Sequence, residues 1–164
     1  MQDKKNIFRI NLHKASAKLN INSFMIGGLF FVLTMMWSIN PERFNSAITG
    51  QLLLAIPLLF VSSLAYTKVS FDQDSKKWDT FGWFTNTIGN SFIFNVLGLM
   101  AATINGRTTA SLFFIFVIVL MGIYTIINIS EDEKIFGQRL FKFSFMVFCI
   151  ILGGVLPLFI INFK

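Results

Sequence analysis

The stretch "WFTNTIGNSFIFNVLGLMAATIN", residues 83–105, is apolar enough to cross a lipid bilayer yet carries Asn86, Asn90 and Asn95. Which solvent it meets decides the fold class. A transmembrane helix needs about 20 mostly apolar residues, because each adds about 1.5 Å across a hydrocarbon layer near 30 Å thick. If the helix began only at Phe92 and ended at Ile104, it would reach about two thirds of that length. The asparagine-bearing half must therefore enter the membrane or its inner interface.

The rest of the chain makes a bilayer the expected solvent. Of its 164 residues, 54% are hydrophobic and only 13% charged, with 21 Phe and a mean hydropathy of +0.67. Soluble domains carry about 25% charged residues, so this composition excludes an ordinary water-soluble domain. The size fits one domain. Its one cysteine, Cys149, sits in an apolar run, which leaves no disulfide framework and no thiol metal site to read. Richness in Ile, Phe, Lys and Asn suggests an AT-rich coding sequence and points to a bacterium.

Five segments are long enough to span: 23–39, 47–66, 86–104, 109–129 and 143–162. Asn40-Pro41 closes the first and Asn105-Gly106 is a turn signal after the third. The expected fold is all-α, an integral membrane bundle of five transmembrane helices over residues 23–164, preceded by a basic amphipathic segment at 1–22. In that segment Phe8, Leu12, Ala15 and Leu19 line up at helical spacing, so it can lie along the headgroups; a solvated tail whose charges fix topology is the alternative. His13 reads as a surface histidine. The first apolar run has the basic leader of a secretory signal, but "MMWSINPERF" after it lacks a small-x-small cleavage pattern, so it reads as an uncleaved span.

The basic residues give the orientation. Lys4, Lys5, Arg9, Lys14 and Lys18, then Lys68, Lys76 and Lys77, then Lys134, Arg139 and Lys142 fall in connections on one side; Arg43, Arg107 and Lys164 fall on the other, and together these are all 14 Lys and Arg. Excess Lys and Arg marks the cytoplasmic side. An inner (plasma) membrane protein with its N-terminus in the cytoplasm and its C-terminus outside is expected. Trp37, Tyr66, Trp78 and Trp83 read as anchors at the headgroup level, the last two ending the longest connection, "TKVSFDQDSKKWDTFGWF".

On the third span, Thr87, Ser91, Asn95, Gly98 and Ala102 follow helical steps and form one polar and small seam, with Asn86, Gly89 and Asn90 beside it. The face with Ile88, Phe92, Ile93, Val96, Leu97, Leu99 and Met100 is left for lipid. Two uses of the seam stay open. It can be glue, since small residues let helices approach and amides bond across the contact; or Asn86, Thr87, Asn90, Ser91 and Asn95 can line a pore or a pocket for a polar solute. Gly27, Gly28, Gly98, Ala102, Gly153 and Gly154 read as close-packing positions, and Pro57 and Pro157 as kinks.

No Asp, Glu, Lys or Arg lies within the apolar cores, which disfavours proton pumps and voltage sensors. No Ser and His pair or paired acids stand at membrane depth, so an enzyme is not expected; an interfacial site built from Asp72, Asp74 and Asp79 reads more simply as a solvated turn. No cofactor, metal or nucleic-acid partner is expected. The leading expectation is an oligomeric channel or transporter-like protein for a small uncharged or weakly hydrated solute. Oligomerisation follows because five helices enclose little space. The alternative is a membrane-embedded accessory, sensor or immunity-type protein that acts by contact with another membrane protein. The orientation is checked by a reporter fused after Lys164, which should be active only outside the cytoplasm; cytoplasmic activity overturns the assignment.

Overall fold

A computed structural model describes residues 12–39, 44–71, 76–131 and 136–161. The elements are α1 (Leu12–Ile39), α2 (Ser46–Phe71), α3 (Lys76–Asn105), α4 (Arg107–Glu131), α5 (Phe136–Ile150), a π-helical turn (Ile151–Val155) and α6 (Leu156–Ile160). The last three run on as one rod, so five helices of 24 to 30 residues are long and apolar enough to span a membrane. By length and composition this is a multi-pass membrane protein.

Local chemistry sets the helix ends. The Asn45 side chain accepts from the Ala47 backbone N–H at 2.9 Å, satisfying a donor that the first turn of α2 leaves open. Asp79 stands in the first turn of α3, where the helix dipole favours a carboxylate. Between α3 and α4 the turn expected at Asn105-Gly106 is a single residue, Gly106, at φ +84°, a conformation that glycine adopts without steric cost. Its N–H bonds the Ala102 carbonyl at 3.0 Å and α4 starts at once.

Within the bundle α3 is the central rod. It packs on α2, most extensively, and on α4, α5 and the π turn, while α1 packs on α2. Glycines let α2 and α3 close: a Cβ on Gly82 would press on Ala65 and Tyr66, and one on Gly89 on Leu59. Gly98 lies under the ring of Phe114 of α4, and a Cβ there would collide with it. Leu52, Leu59, Leu99, Phe114, Ile150 and Leu158 are fully enclosed. Outward, Phe24, Phe31, Phe60, Ile115, Phe116 and Phe159 are each more than half exposed, the surface expected of a molecule whose solvent is hydrocarbon.

Several expectations are corrected. No helix end falls at Asn22: α1 is continuous from Leu12, and Ala15 and Leu19 pack on Tyr66 and Val69 of α2 instead of on headgroups. Phe8 and the side chain of His13 lie outside the described residues. The connection after Tyr66 shrinks, because α2 runs to Phe71 and α3 starts at Lys76; Trp78 and Trp83 are therefore helical. Asp72 and Asp74 lie outside the described residues. Tyr66 is no headgroup anchor: it is wholly buried, under the Lys18 ammonium, which donates to its hydroxyl at 2.6 Å and lies 4.2 Å from the ring centroid. Trp83 is partly buried against Phe141 and Phe145 of α5, with Lys142 5.2 Å over its ring. Trp37 and Trp78 are exposed. Gly27 and Gly28 face outward with nothing within 4 Å of a Cβ, so they pack against no helix among the described residues. Val96 and Leu99 are buried rather than lipid-facing, because α3 has neighbours on several sides.

These contacts separate the glycines experimentally. Gly98→Ala should destabilise the bundle by about 1–3 kcal/mol through overpacking on Phe114, whereas Gly27→Ala should be neutral or stabilising by up to about 1 kcal/mol through helix propensity. Thermal unfolding in detergent reads both; equal losses would place Gly27 in a contact.

Candidate functional site

A fifth rod broken by a proline brings polar groups together at mid-bundle. In an α-helix the Gly153 carbonyl would accept from residue 157, and Pro157 has no N–H to give. The ladder widens instead, and the Leu156 N–H reaches back five residues to Ile151 O. Side-chain amides reach the carbonyls at this level. Gln51 of α2 donates from Nε2 to Gly153 O at 2.7 Å, and Asn95 of α3 donates from Nδ2 to Gln51 Oε1 at 2.9 Å and to Cys149 O at 3.3 Å. Each donor faces a carbonyl, which fixes the orientation of both amides. Gly153 and Gly154 are required here, because a Cβ on the first would collide with Asn95 and Gln51 and one on the second with Asn95 and Phe114.

The hydroxyls of the seam are committed locally. Thr87 donates to Trp83 O at 2.9 Å and Ser91 to Thr87 O at 2.8 Å, both one turn back along α3. Such back-bonding satisfies a hydroxyl without a neighbouring helix. Ser91 and Asn95 are fully buried. Asn95, Gly98 and Ala102 do form part of the interior face of α3. Asn86 and Asn90 do not continue it: at about 100° per residue, Asn95 stands about 140° round the helix from Asn90. Asn86 and Asn90 share the stripe of Trp83, at spacings of three and four, and Trp83 faces α5. What unites the three asparagines is chemical. Oδ1 of Asn86, of Asn90 and of Asn95 is buried without a hydrogen-bond partner. All three orphan atoms are acceptors.

Family models, curated proteins and solved structures give no match to this chain. The site is therefore read from its own chemistry.

Two positions matter that sequence reasoning passed over. Gln51 is the one amide between Ala47 and Tyr66, and an isolated amide inside an apolar run was the available signal. Asn22, the last residue of the basic N-terminal segment, is buried; its Nδ2 donates to Ser62 Oγ at 3.3 Å, and Ser62 donates on to Gly82 O at 2.9 Å, tying α1, α2 and α3. Among the described residues no group of three or more His, Cys, Asp or Glu is placed to hold a metal ion.

Interhelical amide bonds in a bilayer contribute about 0.6 kcal/mol on average and up to about 1.7. A double-mutant cycle of Gln51→Leu and Asn95→Leu should return a coupling in that range, while Ser91→Ala, whose bond stays within one helix, should change stability by less than about 0.5 kcal/mol. Additive losses at 51 and 95 would mean the amides do not act together.

Proposed function

We propose that this protein lies in the plasma (inner) membrane with its basic end, which carries Lys18, Lys68, Lys76, Lys77, Arg139 and Lys142, toward the cytoplasm. There it takes in a small uncharged solute rich in hydrogen-bond donors, at Asn86 and Asn90 on the α5-facing side of α3, as a channel or transporter-like protein and as a homo-oligomer.

The observation that carries this reading is the set of orphan acceptors at Asn86, Asn90 and Asn95. A buried acceptor left unmet costs about 1–3 kcal/mol. The two at Asn86 and Asn90 together cost about 2–6 kcal/mol, a sizeable part of a typical domain's stability of about 5–15 kcal/mol. A molecule bringing N–H or O–H groups offsets that loss. Complementarity also sets its class: oxygens accept, so the solute donates, and no charged residue lies between Trp83 and Asn105 to compensate a formal charge. Asn86 and Asn90 stand one turn apart, about 6 Å along the axis, a separation suited to handing a small molecule from one carbonyl to the next. Trp83, beside Lys142 and the α5 rings, stands at the entrance to this stripe.

A contact-making role is the second reading, and one observation favours it. The donors of Thr87, Ser91 and Asn95 are all spent inside the bundle, as glue would spend them. In that case the partner is another membrane protein or a second copy.

Two measurements decide between them. In a Cys149→Ser background, single cysteines at 86 and 90 should react with a water-soluble thiol reagent and one at the buried Val96 should not. Proteoliposomes should take up urea or glycerol, followed by light scattering, at least tenfold faster than empty vesicles, and Asn90→Leu should remove most of the gain. Silence at 86 and 90, with uptake no faster than in empty vesicles, leaves the contact-making role.

A further inference from the structure

We infer that the π turn at Ile151–Val155 is a hinge on which the outer end of the fifth rod swings, and that Gln51 and Asn95 are the latch that holds it closed. The turn is built to bend. Pro157 leaves Gly153 O without its α-helical donor, and the ladder passes here through an i to i+5 bond, the single-turn π bulge that interrupts α-helices frequently at functional sites. Gly153 and Gly154, side by side within it, bring no side chains to interlock with α2, α3 or α4. Of its backbone, Gly153 O is held by Gln51, whose own oxygen is fixed by Asn95, while Asn95 also anchors Cys149 O of α5; Val155 alone of the turn packs against the apolar core.

Beyond the turn the grip is sparse. Of α6, Leu158 is buried while Leu156, Phe159 and Ile160 are exposed, and at its end Arg107 Nη2 of α4 donates to Ile161 O at 3.0 Å. A segment with few buried contacts belongs to the low-stability part of a fold. On the near side, Ile150 is fully enclosed and Phe145 packs on Trp83 and Phe84, so α5 is the fixed arm. The latched state is also incomplete, because Asn95 Oδ1 is buried against Gly154 and Phe114 with nothing to accept from. Opening lifts Gly154 away and lets that oxygen be met by water or solute, which gives the second arrangement a compensating gain. Gln51 is thus a positioning residue: it touches backbone, and its effect is on where α6 stands. The hinge stands by itself; its use as a gate between the Asn86 and Asn90 stripe and the far side of the bundle rests on the proposed solute reading.

Spin-label distances in liposomes test it, in a Cys149→Ser background. One pair, on cysteines replacing Leu112 and Phe159, reports across the hinge; a second, at Leu112 and Phe148, reports on the fixed arm. All three positions are exposed. The first pair should give two distances, and Gln51→Leu should raise the ratio of minor to major population at least threefold while the second pair stays unchanged. Pro157→Ala, which restores a backbone donor to Gly153 O, should change the same ratio at least threefold in one direction or the other, and it decides the matter if Gln51→Leu fails to assemble. A single distance across the hinge that neither variant alters overturns the proposal, as does a common shift of both pairs, which would mean general loosening. Two distances with no solute uptake would retain the hinge and discard the gate.

Discussion

A carbonyl deep in hydrocarbon must find a donor within the protein, and Pro157 withholds the one that Gly153 would have had. Much of the bundle's middle follows from that shortage. Gln51 supplies the donor, its own oxygen is then met by Asn95, and the second hydrogen of Asn95 goes to Cys149 O. One missing N–H thus ties α2, α3 and α5 at a single level. The same tie dictates glycine at 153 and 154, since the amides occupy the space that side chains would take.

Apolar packing is arranged around this level. Toward the basic end, Gly82 and Gly89 bring α3 against α2, and Asn22 and Ser62 bond across the adjoining contact; toward the other end, Gly98 admits Phe114. The result is a central rod whose neighbours approach at glycines, flanked by outer helices whose free faces are phenylalanine and branched aliphatics. Hydrocarbon gives no hydrophobic reward for hiding such groups, so close backbone approach and interhelical bonds hold the helices together.

The class of this fold is written in composition and run length: four of the five spans sought there lie wholly within long helices, and the fifth does so as far as Ile160. Local turn chemistry was equally legible, with Gly106 where Asn105-Gly106 announced it. Buried positions were harder to read, for a physical reason: in a membrane bundle the inside is no more apolar than the outside, so periodicity does not tell Val96 and Leu99, which are buried, from Leu97, which is exposed. Tyr66 and Asn22 were misplaced for a related reason. Each has the chemistry of an interface residue, and only a neighbouring helix, bringing Lys18 to one and Ser62 to the other, draws them inside. Of the candidate site, its asparagines were visible but not their division between two faces. Gln51 was hidden by being single, and the π turn by depending on where its carbonyls find donors.

Helix length carries a mechanical corollary. At 30 residues α3 is a rod of about 45 Å, half as long again as a typical hydrocarbon layer of about 30 Å, while its neighbours are shorter. Such a rod tilts or protrudes, and the balance depends on the thickness of the leaflets around it. Because α2 is seated on it at Gly82 and Gly89, tilt of the centre is shared with α2, and through α2 with α1. Bilayer thickness is thereby coupled to the geometry of the interior, so lipid composition is a physical variable of this protein's conformation and not merely its container.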